Sequence, residues 1–161
     1  MTDSAVIRMK EFKSYPDVLL VVCDGGAASW LAESFATLAT CDGGLENSTA
    51  IGNGSPIASP DGIVVRFQVI RDGVDRGLVE REPNHFFWEI SHENAARFSN
   101  MVAGISNATV VTGEGGTKGT LQPMGAHQYL IPSNSPPAPA IMVSIGEYNV
   151  KRLLELRGVV K

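Results

Sequence analysis

His85-Phe86-Phe87-Trp88-Glu89-Ile90-Ser91-His92-Glu93-Asn94 reads as a strand that turns directly into a helix. Phe86, Trp88 and Ile90 alternate with His85, Phe87 and Glu89, so one aromatic side faces a core and the other faces away from it. Ser91 offers a side-chain oxygen to the free N–H groups of the first helical turn, and Glu93 complements the helix dipole. Phe98, Met101, Val102 and Ile105 then recur at helical spacing. The same device occurs twice more. Val18–Val22 runs into Cys23-Asp24-Gly25-Gly26, and Ile141–Val143 runs into Ser144-Ile145-Gly146-Glu147. Such corners present free N–H groups at a sheet edge and are natural places for function.

Working outward, Val6–Phe12 partly alternates and reads as an edge strand ended by the turn signal Tyr15-Pro16-Asp17. Val18–Cys23 does not alternate, as in a strand buried on both faces. Asp24 is a natural N-cap for a helix over Ala27–Thr40, with Leu31, Phe35 and Leu38 on its buried side and Glu33 and Thr37 opposite. Asp42-Gly43-Gly44 stops it. Leu45–Asp61, rich in Gly, Ser, Asn and Pro, reads as a long loop with a short irregular hairpin around Gly52-Asn53-Gly54. Ile63–Arg71 alternates, with Val65, Phe67 and Val69 on one face and Arg66 and Gln68 on the other. Asp72-Gly73 is a hairpin signal, and the chain resumes at Leu78.

Beyond the second helix, Thr109–Thr112 reads as a short strand and Gly113–Gly125 as a glycine-rich loop. Tyr129–Ile131 is a further strand, and Pro132–Pro139 a connection. In the last helix Ser144 and Glu147 form a capping box, Val150, Leu153 and Leu154 supply the buried stripe, and Gly158 ends it. The order is β-β-α-β-β-α-β followed by β-β-α. From Val18 to Thr112 it matches the β-α-β-β-α-β of a ferredoxin-like layer. The expected fold is a single α+β domain over all 161 residues: a mainly antiparallel sheet with helices packed on it, a ferredoxin-like centre and a C-terminal β-β-α.

Composition narrows the function classes. A hydrophobic fraction of 43% and a charged fraction of 19% are those of a globular chain with one substantial core. Its apolar runs are too short for a transmembrane helix, and the acidic Met1-Thr2-Asp3-Ser4 start is no secretory signal. Cys23 and Cys41, at opposite ends of one helix, suit reduced thiols in a cytoplasmic protein. A net charge of −4 disfavours nucleic acid, and the groups Arg8/Lys10/Lys13 and Lys151/Arg152/Arg157 suit solvated faces. Two cysteines and the separated His85, His92 and His127 give no zinc spacing, so neither metal nor cofactor is expected.

Candidate chemistry is sparse. His92 in a first helical turn has the dipole position that favours a neutral imidazole base. Cys23 and Asp24 sit where a helix N-terminus would favour a thiolate, although a strand end and an N-cap explain both residues without catalysis. Gly113–Gly119 carries Lys118 in a glycine-rich run. A phosphate loop would place the lysine after its final glycine and open a helix, and neither happens here.

His85–Ile90, followed by Ala95-Ala96, resembles the third strand and second helix of an RNA-recognition motif over about a fifth of the chain. That resemblance implies base stacking on exposed aromatics. The chain departs from it in lacking a Lys/Arg-Gly opening, in setting Glu89 on the face of Phe87, and in having no aromatic in Val18–Val22.

Protein recognition is the leading expectation. Phe87, flanked by His85 and Glu89 and accompanied by Arg66 and Gln68, is a candidate interface anchor if that sheet face is open. If the C-terminal helix covers that face, Phe87 is core. The sequence is read as a small cytosolic non-enzymatic inhibitor, similar in physical character to bacterial immunity proteins. A homodimer is compatible with it. The opposing expectations are a small hydrolase or transferase using His92, and a nucleotide or small-molecule sensor using Lys118.

Overall fold

Each of two sheets is built from two hairpins joined through their inner strands in the computed structural model, which describes residues 4–12, 15–41, 48–52, 54–69, 74–111, 126–130, 140–146 and 148–156. Along the chain the elements are β1 (Ala5–Phe12), β2 (Tyr15–Cys23), α1 (Gly25–Thr40), β3 (Ser48–Ile51), β4 (Val64–Val69) and β5 (Gly77–Glu82). They continue with β6 (His85–Ile90), α2 (His92–Val111), β7 (Ala126–Leu130), β8 (Ala140–Ile145) and α3 (Val150–Leu156). The first sheet has the order β1-β2-β8-β7 and the second β3-β4-β6-β5. In both, the central pair is parallel and the flanking pairs are antiparallel. The architecture is α+β with two mostly antiparallel sheets.

The first sheet is buried on both faces, which is why β2 does not alternate. Leu19, Val21, Ile141 and Val143 enter the main core, while Leu20, Val22 and Met142 point the other way and meet Leu153 of α3. The second sheet buries one face. Val65, Phe67, Phe86, Trp88 and Ile90 join Leu31 and Phe35 of α1 and Phe98 and Val102 of α2 in that same core. Phe35 lies at its aromatic centre, with ring centroids 5.0 Å from Phe67 and 5.6 Å from Phe98, both edge-on.

The two sheets meet along β1. Val6 donates its N–H to the Ala58 carbonyl at 2.9 Å, and Ala58 returns one to Ser4 at 3.0 Å. Two residues after Val6, Arg8 reaches from β1 to Glu80 of β5.

Local signals held wherever the chain's own hydrogen bonds decide. Asp24 caps α1 by accepting from Ala27 N–H at 2.8 Å, and Ser91 caps α2 by accepting from Asn94 N–H at 3.1 Å. Several expectations need correction. Tyr15-Pro16-Asp17 is no turn, because the β1–β2 ladder pairs Phe12 with Tyr15 and Lys10 with Asp17. Within the expected long loop, Ser48–Ile51 forms β3 against β4. Residues 109–111 belong to α2, since the helix runs through Gly104 and no Gly or Pro stands between Gly104 and Gly113 to stop it.

Ser144 is not a helix cap. It is fully buried in β8 opposite Val22, and Asn149 caps α3 instead by accepting from Arg152 N–H at 2.9 Å. The sheet ladder extends to Ile145 and overrides the local capping pattern. The single ferredoxin-like layer is likewise replaced: β2 pairs in one sheet, β4 and β6 pair in the other, and the last expected strand is helix. The β5–β6 hairpin turns at Pro83-Asn84, with Asn84 at φ 66°, and β4 pairs with β6 and not with β5. Asp42-Gly43-Gly44, Asp72-Gly73, Gly113–Gly125, Pro132–Pro139, Glu147 and Gly158 lie outside the described residues.

Candidate binding face

The outer face of the second sheet is built by strand alternation alone. In the parallel β4–β6 ladder Arg66 stands beside Phe87 and Gln68 beside Glu89, while Val64 stands beside His85. On the far side of β6, Val79 of β5 stands opposite Phe87 and is 46% exposed. On the near side, Ser48 and Ala50 of β3 pair with Gln68 and Arg66. Among the described residues no helix covers this face: α1 and α2 join the opposite face, and α3 packs on the first sheet. Of the two alternatives for Phe87, burial under the C-terminal helix is the one that fails.

Phe87 is half-buried because arginine covers it. The Arg81 guanidinium carbon lies 4.4 Å from the ring centroid, in stacking position. Arg81 also lies 3.9 Å from Glu89, and Arg76 lies 3.6 Å from the same carboxylate oxygen. These are loose, exposed pairs that hold little energy but keep the side chains over the sheet. Arg66 donates to the Ser48 hydroxyl at 3.2 Å. The face therefore carries an aromatic, three arginines and a shared carboxylate on a rigid support. Arg76, Arg81 and Val79 were missed in the sequence reading. Recognition of the β5–β6 hairpin would have placed Val79 and Arg81 beside Phe87.

The strand-to-helix corners are occupied by structural work. Cys23 is buried, and desolvation followed by repulsion from Asp24 pushes its thiol up to about 12, opposite to the thiolate expected from the helix start. Asp24 uses its carboxylate as the α1 cap and its own N–H to meet the Ser4 hydroxyl at 2.9 Å. His92 places Nε2 2.6 Å from the Cys41 carbonyl, tying the end of α1 to the start of α2. None of the three has a nucleophile or base partner among the described residues.

Lys118 and the whole Gly113–Gly119 run lie outside the described residues. Among those described, no group of three His, Cys, Asp or Glu side chains is placed to hold a metal, and no helix is long and apolar enough to cross a membrane. A separate apolar groove of about 480 Å³ runs between β1, the β3–β4 connection and α3, with Ala5, Pro60 and Leu154 in its walls. Comparison with known proteins found no matching family model, curated protein or solved structure.

Proposed function

We propose that this chain is a non-enzymatic protein-binding protein, of the inhibitor or immunity type, that engages its partner through the outer face of the second sheet. One observation supports this above the others: Phe87, with Arg81 stacked on it, lies on a sheet face that no helix covers among the described residues. Aromatic and arginine side chains on a rigid surface are the residue types that carry most of the energy at protein interfaces. The engagement of His92, Cys23 and Asp24 in caps, burial and carbonyl contacts speaks against the hydrolase alternative. Two free thiols and the acidic charge suit action in the cytoplasm of a bacterial cell.

The test is capture of a partner from the source cell, followed by direct binding with purified components. Phe87→Ala and Arg81→Ala should each weaken that complex about tenfold or more, as for interface anchors. His92→Ala and Cys23→Ser should leave it intact. Retention of full affinity in Phe87→Ala with the fold preserved would end the proposal.

A further inference from the structure

Ala5–Val69 runs β1-β2-α1-β3-β4 and Gly77–Ile145 runs β5-β6-α2-β7-β8, the same ββαββ order twice. Each unit gives one hairpin to each sheet. In the order β1-β2-β8-β7, replacing every strand by its counterpart in the other unit gives β5-β6-β4-β3, which is the second sheet read backwards. Two subunits related by a two-fold axis are arranged in this way.

The correspondence extends to single residues. Val21, Leu31 and Leu38 of the first unit match Trp88, Phe98 and Ile105 of the second at one constant separation, and all six are buried in the main core. The helix caps match at that separation too: Asp24 accepts from Ala27 N–H, and Ser91 from Asn94 N–H. Each cap's own N–H meets a side chain leading into the first strand of its unit. Asp24 donates to the Ser4 hydroxyl before β1, and Ser91 to the Asp75 carboxylate before β5.

Only on a two-fold axis does a position meet its own counterpart. This happens twice. Ser99 donates its hydroxyl at 2.8 Å to the carbonyl of Ala32, 67 positions away, the separation that also relates the caps and the core pairs. Arg8 stands opposite Leu19, and Glu80 stands opposite Phe86, the counterpart of Leu19. Arg8 and Glu80 in turn join at 3.0 Å. The axis thus runs from the contact of α1 with α2 to the contact of β1 with β5.

We infer that the chain is a tandem duplication of one ββαββ unit, and that its central seam is a dimer interface between the two copies, closed within a single chain. The inference goes beyond the protein-binding reading and does not depend on it. It also accounts for the uneven outer faces, which the duplication makes equivalent. After β8 the chain continues into α3, whose Leu153 covers the first sheet. After β4 it ends at Val69 and reopens as β5 at Gly77, too short a link for the same cover. The open face around Phe87 is the counterpart of the face that α3 closes.

Moving one hydroxyl across the axis tests this in the full chain. Ser99→Ala removes it, and Ala32→Ser supplies it from the other unit, because the axis sets position 32 toward the carbonyl of position 99 as it sets Ser99 toward Ala32. Serine is a poorer helix former than alanine, so without the axis Ala32→Ser only lowers stability further. Added to Ser99→Ala, Ala32→Ser should raise the urea midpoint back to that of the original chain. A midpoint that stays or falls overturns the inference. A circular permutant gives a second reading. Ala5 and Leu154 wall the same groove, so α3 lies beside β1 and a Gly-Ser linker can join Lys161 to Met1. Opened between Gly73 and Val74, the permutant presents the second unit first. It should unfold in one transition with the original urea slope; a broad or shallower transition overturns the equivalence of the two units.

Discussion

Trp88 donates its indole N–H to Oδ1 of Asp75 at 2.7 Å, and this carboxylate organises the whole entry to α2. Its Oδ1 also accepts from Gly77 N–H at 2.9 Å, while Oδ2 accepts from Ser91 N–H at 3.2 Å and from the Asn94 amide at 2.8 Å. Trp88, Ser91 and Asn94 are all buried, so none of these donors finds water if the carboxylate is removed. Each buried donor left unpaired costs about 1–3 kcal/mol, less where the backbone relaxes. Asp75→Ala should therefore lower unfolding stability by about 3 kcal/mol, read as the urea midpoint at constant slope. Asp75→Asn should recover only part of this, since its amide replaces one acceptor by a donor. An unchanged midpoint in Asp75→Ala would show that water replaces the carboxylate.

What the sequence disclosed divides along the same physical line. The β6–α2 corner was legible because alternation, a capping serine and helical spacing are local and agree. Asp75 was not, since nothing in its own neighbourhood announces four donors arriving from three segments. The one available hint was Trp88: a core indole needs an acceptor for its N–H. Ser144 misled because its local capping pattern is sound, yet the register with Val22 holds it in a strand. Division into two sheets was illegible for the same reason, since a strand's periodicity does not name its partner. The candidate face was half legible. Arg66, Gln68 and Phe87 followed from alternation, whereas Arg81 required the hairpin turn at Asn84 to be placed first.

Arg8 is the clamp between the sheets, and its geometry gives a second expectation. It forks onto Asp17 through Nε and Nη2 at 3.1 and 2.7 Å, and onto Glu80 through Nη1 and Nη2 at 3.0 and 3.1 Å. The guanidinium also lies 5.3 Å from the Phe86 ring centroid. Hydrogen bonding to Asp17, with Glu80 in support, outweighs desolvation and holds the Arg8 pKa above the ordinary arginine value, so its charge is permanent. Arg8→Gln leaves two carboxylates facing each other with no cation between them. All three side chains are partly exposed, so the expected loss is about 2 kcal/mol and not the larger figure for a dry interior. Arg8→Lys should restore less than half of it, because a point charge cannot make both forks. Full recovery by lysine in urea denaturation would reduce the clamp to simple charge pairing.

Cys23 supplies the expectation that most directly opposes a catalytic corner. Its side chain is buried at the end of β2, and desolvation holds the thiol protonated up to about 12, against an ordinary value of 9.0. With the folded value raised above the unfolded one, the associated stability is complete below about pH 9. Between about pH 9 and 12 the unfolded chain loses this proton while the folded chain keeps it, so stability falls through that window. Cys23→Ala should flatten the fall, in urea midpoints taken at successive pH values. Iodoacetamide near about pH 8, where ordinary thiols are partly ionised, should spare Cys23 in the folded chain and modify it once urea is added. The half-buried Cys41 serves as the internal comparison and should be modified first. Fast native labelling at Cys23, located by peptide mass mapping, would mean that the thiolate is accessible after all and would return the Cys23–Asp24 corner to the list of reactive sites.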